Sequence, residues 1–278
     1  MLMLRVRDDW RSVLVVALAL AIPVFQFSGI LRHPLIWSAG VVTAYLTLVI
    51  NHNHQHVATF HRATMNRIFE WSMTLASGLP GTLMVPLHNR NHHQAHNGPD
   101  DFMRTSLMAR YPAVLRLALY PFAAAISYAP RKAEMLGYLR RSEPRIWWRL
   151  HIERVVLIGT VIALLSWKPF ESFLFVILPW ALAQYWGINA NYIQHAGCNP
   201  ANPMGHTRDY TGGFLNWLTF NGGYHLEHHS RPGLHWSRLP QAHRDMRSQI
   251  DPALLEPHFL RTVARIACGR MKPLESHP

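Results

Sequence analysis

The sequence predicts an all-α integral membrane protein, with four transmembrane helices, interfacial helices between them and a histidine-rich cap on one face of the bilayer. Three observations predict it. Long uncharged apolar runs alternate with stretches crowded with Arg, His and Asn, although mean hydropathy is near zero. The longest runs approach the ~20 residues that a helix needs to cross a bilayer. Most of the 19 His fall in short windows at or beyond the ends of those runs.

The elements follow in chain order. Met1 to Arg11 is basic and leads into Val13 to Ile30, which carries no charge. No small-residue cleavage site intervenes before the next apolar run, Pro34 to Ile50, so the two read as an uncleaved hairpin turning at Leu31 to His33. Ile68 to Pro86 is apolar but broken by Glu70, Gly78, Pro80 and Gly81, the pattern of an interfacial or re-entrant piece. Arg110, Arg116, Pro112 and Pro121 interrupt Ser106 to Ala129, which reads as an amphipathic helix lying on the bilayer. Two further spans meet at the Lys168-Pro169 corner. The spans are expected at about 13–30, 34–51, 150–167 and 170–190, with the cap formed by 52–149 and 191–278 of a single domain, 1–278.

An even number of spans puts Arg5, Arg7, Arg11, the Arg residues between positions 62 and 154, and those after 208 on one side. The opposite loops carry only Arg32 and Lys168, so the positive-inside rule makes the cap side cytoplasmic. A bacterial inner membrane, with the site on its cytoplasmic face, is the expected location.

Net charge is +12, from 27 Lys and Arg against 15 acidic residues. Such a balance suits nucleic acid, anionic lipid or an acidic partner. No helix-turn-helix, zinc finger or basic heptad pattern is visible and the Arg residues flank apolar segments, which favours lipid and partner over nucleic acid. Cys198 and Cys268 form no CxxC pair, which excludes a disulfide framework and a thiolate metal site.

Chemistry is carried by the histidine windows. In Asn51 to His56 (NHNHQH), a helix continuing from the second span places His52 and His56 on one face; His54 and His61 are second choices. In HNRNHHQAH, a helical reading puts His88, His92 and His96 on one stripe with His93 beside it. Four imidazoles this close repel when protonated and lack partners when buried, whereas a cation satisfies them together. Asn191 and His195 stand four apart at the end of the fourth span. In YHLEHH, His225, His228 and His229 converge on one helical face, and Glu227 is a candidate acceptor for the ring N–H of a metal-bound histidine. So many imidazoles exceed what one ion can use; two ions suit them, and borderline ligands favour Fe or Zn over Mg or Ca.

These windows resemble the boxes of the membrane fatty acid desaturase and hydroxylase superfamily, H-x(3,4)-H, H-x(2,3)-HH and (H or Q)-x(2,3)-HH. His52-NHQ-His56, His88-NRN-His92-His93 and His225-LE-His228-His229 fit them in order, and the likeness runs from about Pro34 to Pro240. The resemblance implies a cytoplasmic di-iron cap. Its implied ligands are His52, His56, His88, His92, His93, His195, His225, His228 and His229, with Asn191 contacting iron through water. His235, in the Pro-rich exit after the third box, is implied to support a ligand or to be structural instead of binding metal, and His243, His258 and His277 are expected to be dispensable. The implied reaction uses two non-haem irons and O2 to attack an unactivated C–H bond of a lipid tail, most simply as a fatty acyl desaturase.

No haem-binding HPGG module is present, so a separate ferredoxin- or cytochrome b5-like donor is expected, steered by opposite charge. Trp186, Tyr192, Trp217 and Tyr224 are candidates to line a lipid tunnel. A hydroxylase or ketolase of a carotenoid, sterol or hydrocarbon shares the same boxes. A non-enzymatic metal-binding membrane protein such as a transporter is the distant alternative, disfavoured because the spans hold almost no ionisable residues between their ends.

Overall fold

The computed structural model describes residues 3–270, so His277 lies outside the described residues. Its α-helices are α1 (Trp10–Phe27), α2 (Pro34–His56), α3 (Ala63–Ser77), α4 (His93–Ala95), α5 (Ala113–Ser142), α6 (Pro144–Trp167), α7 (Pro169–Ser172), α8 (Leu178–His195), α9 (Gly213–Leu218), α10 (His225–Ser230), α11 (Leu239–Met246) and α12 (Phe259–Ala267). A π-helix, Val85–His92, precedes α4, and two short strands, β1 (Asp209–Tyr210) and β2 (Leu255–Glu256), pair in parallel.

Local sequence sets several boundaries. Pro34 opens α2, where a missing N–H costs nothing, and the His33 ring accepts from Leu35 N at 3.2 Å. α3 stops at Gly78, whose φ of 66° is the left-handed region that glycine enters without a Cβ clash. α5 runs through both Pro121 and Pro130. Sequence reading expected an amphipathic helix over Ser106 to Ala129 there. By length and composition α5 is one of five stretches able to cross a membrane, the others being Arg7–Phe27, Pro34–His56, Pro144–Trp167 and Pro169–His195. Val155, Ile158 and Ile162 on α6 are exposed, as apolar side chains are when lipid is the solvent. The protein is an integral membrane protein of helical class.

The chain divides into two compact units. In the first, Met1–Val85 with Glu134–Gly187, α1 packs on α2 and α3, and α6 on α3 and α7. Ala44, Leu48, Val176, Trp180 and Ala183 form its core. Gln184 Nε2 donates to the Ser77 and Gly78 carbonyls at 3.0 and 3.1 Å, satisfying acceptors that the end of α3 leaves over. The region expected to be interfacial, Ile68 to Pro86, holds most of α3 and a turn in which Thr82 N and Oγ1 donate to Glu153 at 2.8 and 2.6 Å. Glu70, nearly fully buried, accepts from Arg67 and Arg149.

The second unit comprises Pro86–Ala133 and Ile188–Pro278. Met108, Tyr120, Tyr192, Ile193, Tyr210 and Ile266 pack in one core cluster, each aliphatic side chain of this kind worth about 1.5–3 kcal/mol. Cys198, Leu226, Met246 and Leu254 form another beneath α10 and α11. The β1–β2 ladder aligns Asp209 with Leu255 and Tyr210 with Glu256, and Arg265 donates to Glu256 at 2.7 Å. Asp209 then reaches α10, where its Oδ1 accepts from Leu226 N at 2.9 Å.

Candidate metal centre

α10, α8 and the segment from the π-helix into α4 bring seven of the sequence-predicted histidines together in the second unit. They do not sit as the helical readings expected. A π-helix closes i→i+5 loops, so His88 meets His93 five positions on, with Nε2 atoms 2.9 Å apart, and does not share a stripe with His92 and His96. α10 likewise divides its histidines. His228 joins His88 and His93, its Nε2 lying 3.0 Å from that of His93. His225 and His229 turn to His92 and His195. His225 Nε2 lies 3.1 Å from His195 Nε2 and 3.2 Å from His229 Nε2. Two separate groups of imidazole nitrogens result, each within 4.8 Å internally.

Protons can be placed on two of these rings. Asp101, fully buried, accepts from His92 Nδ1 at 2.7 Å, and the His206 carbonyl accepts from His195 Nδ1 at 2.8 Å. A carboxylate and a carbonyl only accept, so each ring carries an N–H at Nδ1, and in its neutral form each presents the Nε2 lone pair to the cluster. His92 Nε2 is buried with no hydrogen-bond partner. Such an arrangement is what a metal-bound histidine requires of its surroundings.

Electrostatics favour the same state. Burial, followed by the neighbouring His225, His92, His195 and His93, holds His229 well below the ordinary imidazole value, so it stays neutral. Burial, then His96, brings His206 down to about 4. Burial alone would raise the Asp101 carboxyl, but hydrogen bonds from His92, Met103 and Asn97 outweigh it and hold the group below its usual range. Convergent imidazole nitrogens fit divalent borderline cations, and the residues present fit a pair of them.

The remaining predicted residues are placed as follows. His52 and His56 lie on the last turn of α2 in the first unit, their rings 5.2 Å apart edge to face. Asn191 Nδ2 donates to Tyr120 Oη at 2.6 Å and to the Met103 carbonyl at 3.0 Å. His54 is buried, with Nδ1 at 2.9 Å from Thr59 Oγ1 and Nε2 at 3.5 Å from Glu70, a structural role. His61 and His258 are exposed. His235 accepts from Ser237 N at the start of a helical turn, as expected of a structural residue.

Several expectations are corrected. Glu227 accepts from His243 Nδ1 at 2.8 Å and not from a cluster histidine. His243, expected to be dispensable, is buried between Glu227 and Asp209, with the second carboxylate at 3.3 Å. Hydrogen bonds to these two carboxylates raise His243 to about 9, and burial pushes Asp209 up to about 7. Of the four proposed tunnel aromatics, Tyr192 is in the core with Tyr120, Tyr224 lies against His243, and Trp186 and Trp217 are exposed. Sequence reasoning also missed Asp101 and His206. The second Asp of an Asp-Asp pair and a lone His in a loop carry no periodicity, and only their contacts mark them.

Known proteins resemble this chain over most of its length. A family model described as fatty acid desaturase matches residues 28–260. The chain is 30% identical over 223 residues to a sphingolipid delta(4)-desaturase of Drosophila melanogaster, covering 74% of this chain and 63% of that one. It is 25% identical over 233 residues to a sphingolipid delta(4)-desaturase/C4-monooxygenase of Rattus norvegicus, covering 75% and 64%. A sphingolipid delta(4)-desaturase of Candida albicans shares 50% identity over 40 residues, 14% of this chain and 11% of that one. The aligned part thus spans under two thirds of the length of the fly and rat relatives.

Proposed function

The chain belongs to the fatty acid desaturase family, and from that premise we propose an O2-dependent membrane oxidoreductase with two non-haem irons that desaturates a lipid tail. The observation that carries the reading is the pair of imidazole groups in the second unit, with the His92 and His195 lone pairs fixed inward by Asp101 and the His206 carbonyl.

His88, His93 and His228 would hold one iron, and His92, His195, His225 and His229 the other. His52 and His56 complete the nine-histidine set on the order of the motifs, and Asn191 joins it through water on the same ground. When bound, the irons supply redox chemistry, activating O2 with two external electrons so that an unactivated C–H bond is broken. The chain's own part is positioning. Burial of His92, His195, His225, His228 and His229 excludes bulk water from the donors. Asp101 and the His206 carbonyl keep protons on Nδ1, and the Asp209–His243–Glu227 assembly holds α10, which carries three of the ligands. Electrons would come from a separate ferredoxin- or cytochrome b5-like carrier drawn to a chain of net charge +12.

Topology supports four spans. His92, before α5, and His195, at the end of α8, belong to one group, so the chain between them crosses the bilayer an even number of times. α6 and the α7–α8 stretch supply two crossings, and α5 then lies along the interface. The positive-inside distribution makes the site cytoplasmic, and a bacterial inner membrane remains part of the proposal.

The relatives' names make a sphingolipid long-chain tail the first substrate to test. Oxygen insertion is the second reading, because the rat relative is named for both desaturation and C4-monooxygenation. Mass spectrometry of lipids from cells expressing the chain or its His228→Ala variant tests both. A product lighter by two daltons, present only with the unaltered chain, supports desaturation, and one heavier by sixteen supports hydroxylation. Identical lipid profiles in the two cultures would refute the proposal.

A further inference from the structure

We propose that His96, His206 and His229 form a third metal site, an outer position through which a divalent first-row cation reaches the buried group of His92, His195, His225 and His229. The inference rests on the metal reading above. Ring nitrogens of the three residues lie within 4.8 Å of one another. The His96 and His206 rings stack at 4.6 Å between centroids, and His229 stands 5.1 Å from His206 and 5.6 Å from His96.

Two atoms point to a ligand. His206 Nδ1 faces the Asn202 carbonyl at 3.3 Å, which places the N–H there and leaves a lone pair on Nε2. That Nε2 is buried with no hydrogen-bond partner, and so is Nδ1 of His229, whose Nε2 already faces His225. Buried ring nitrogens without partners are costly, and a cation between them relieves the cost. His96 supplies the third donor from a different setting. It is half-buried and holds φ at 47°, a left-handed conformation rare outside glycine, followed by Asn97 at 66° with its N–H on Asp101. One donor is thus reachable from solvent while two are not.

His229 belongs to both the outer and the inner group. Two divalent ions sharing its surroundings repel at short range, so the outer position suits an ion in transit and empties as the inner group fills.

The test uses the full chain purified in detergent, stripped of metal and mixed with Co(II), whose visible absorption reports coordination. His96→Asn keeps a residue that tolerates left-handed φ, and His206→Gln leaves the carbonyl that holds His195 in place. In the double variant, uptake is expected to slow roughly tenfold, the scale of losing supporting groups at a metal site, with Co(II) bound at equilibrium unchanged. His96→Asn alone, which leaves the buried His206 ring untouched, is expected to slow uptake as well. Uptake at the unaltered rate in both variants overturns the outer position. A lower equilibrium Co(II) content, with helical circular dichroism preserved, overturns the transit role by making these residues permanent ligands. Failure of the unaltered chain to take up any Co(II) overturns the metal reading itself.

Discussion

Asp101→Asn removes one charge from a buried group while keeping its shape. Three donors converge on this carboxylate. Oδ2 accepts from His92 Nδ1 at 2.7 Å and from Asn97 N at 2.9 Å, and Oδ1 accepts from Met103 N at 2.8 Å. An amide accepts at only one of the two positions. In its better orientation it forfeits the Met103 bond, about 1.5–3 kcal/mol for a hydrogen bond to a charged group, and in the other it forfeits two, about 3–6 kcal/mol. His92 suffers in either case, because a neutral oxygen supports its Nδ1–H less well and the Nε2 lone pair becomes a weaker donor. Groups in that position are worth about 10–100-fold in metal affinity, or about 1.4–2.8 kcal/mol. The assay is iron content after dialysis against graded chelator, with thermal unfolding of the metal-free protein in detergent alongside. The variant is expected to release one ion at lower chelator than the unaltered protein, because His88, His93 and His228 do not touch Asp101. An unchanged chelator midpoint together with an unchanged unfolding midpoint would refute the argument that Asp101 fixes His92.

Other outcomes follow from the same contacts. His92→Ala and His228→Ala each remove a donor from a different group, so each is expected to abolish turnover and lower bound iron while membrane insertion, read by fractionation, is retained. His243→Leu strands Asp209 and Glu227, and removing one partner from such a buried ionic group costs about 3–5 kcal/mol, visible as a lower unfolding midpoint. His243 is raised from 6.5 to about 9, so the folded state binds the extra proton and its stabilisation is complete below pH 6.5 and lost as pH rises through 9. The unaltered protein should therefore lose stability across that window, and His243→Leu should lack this component. Gly78→Ala combines a φ of 66° with a new Cβ 2.5 Å from the Trp180 ring, and is expected to cost about 2–4 kcal/mol in thermal unfolding.

Much of the helical architecture is legible in the chain because a bilayer imposes length and polarity on each segment separately. α1, α2, α6 and α8 fall where uncharged runs predict them. α5 is harder to read, since Arg110, Pro112 and Pro121 suggest interruption while the helix continues from Ala113 to Ser142 through two prolines. The proposal that it lies along the interface draws on His92 and His195 sharing one group, which tertiary structure alone reveals. At the site, the histidine windows name seven histidines whose ring nitrogens the structure brings together, while the α-helical reading put His88 on one stripe with His92 and His96. An i→i+5 helix between Val85 and His92 displaces the α-helical stripe, and no residue type in VPLHNRNH announces it.

Taken alone, the sequence determined the membrane class, the order of the apolar helices and the imidazole inventory, because spacing along a covalent chain sets periodicity and composition sets the solvent each segment tolerates. Only the tertiary structure decided how seven of those histidines divide into two groups, which nitrogen of His92 and His195 faces inward, and that Asp101, His206 and His243 take part. Those are choices made by hydrogen bonds between residues apart in sequence, as from His243 to Glu227, and the direction of a ring nitrogen is fixed by its partner across space.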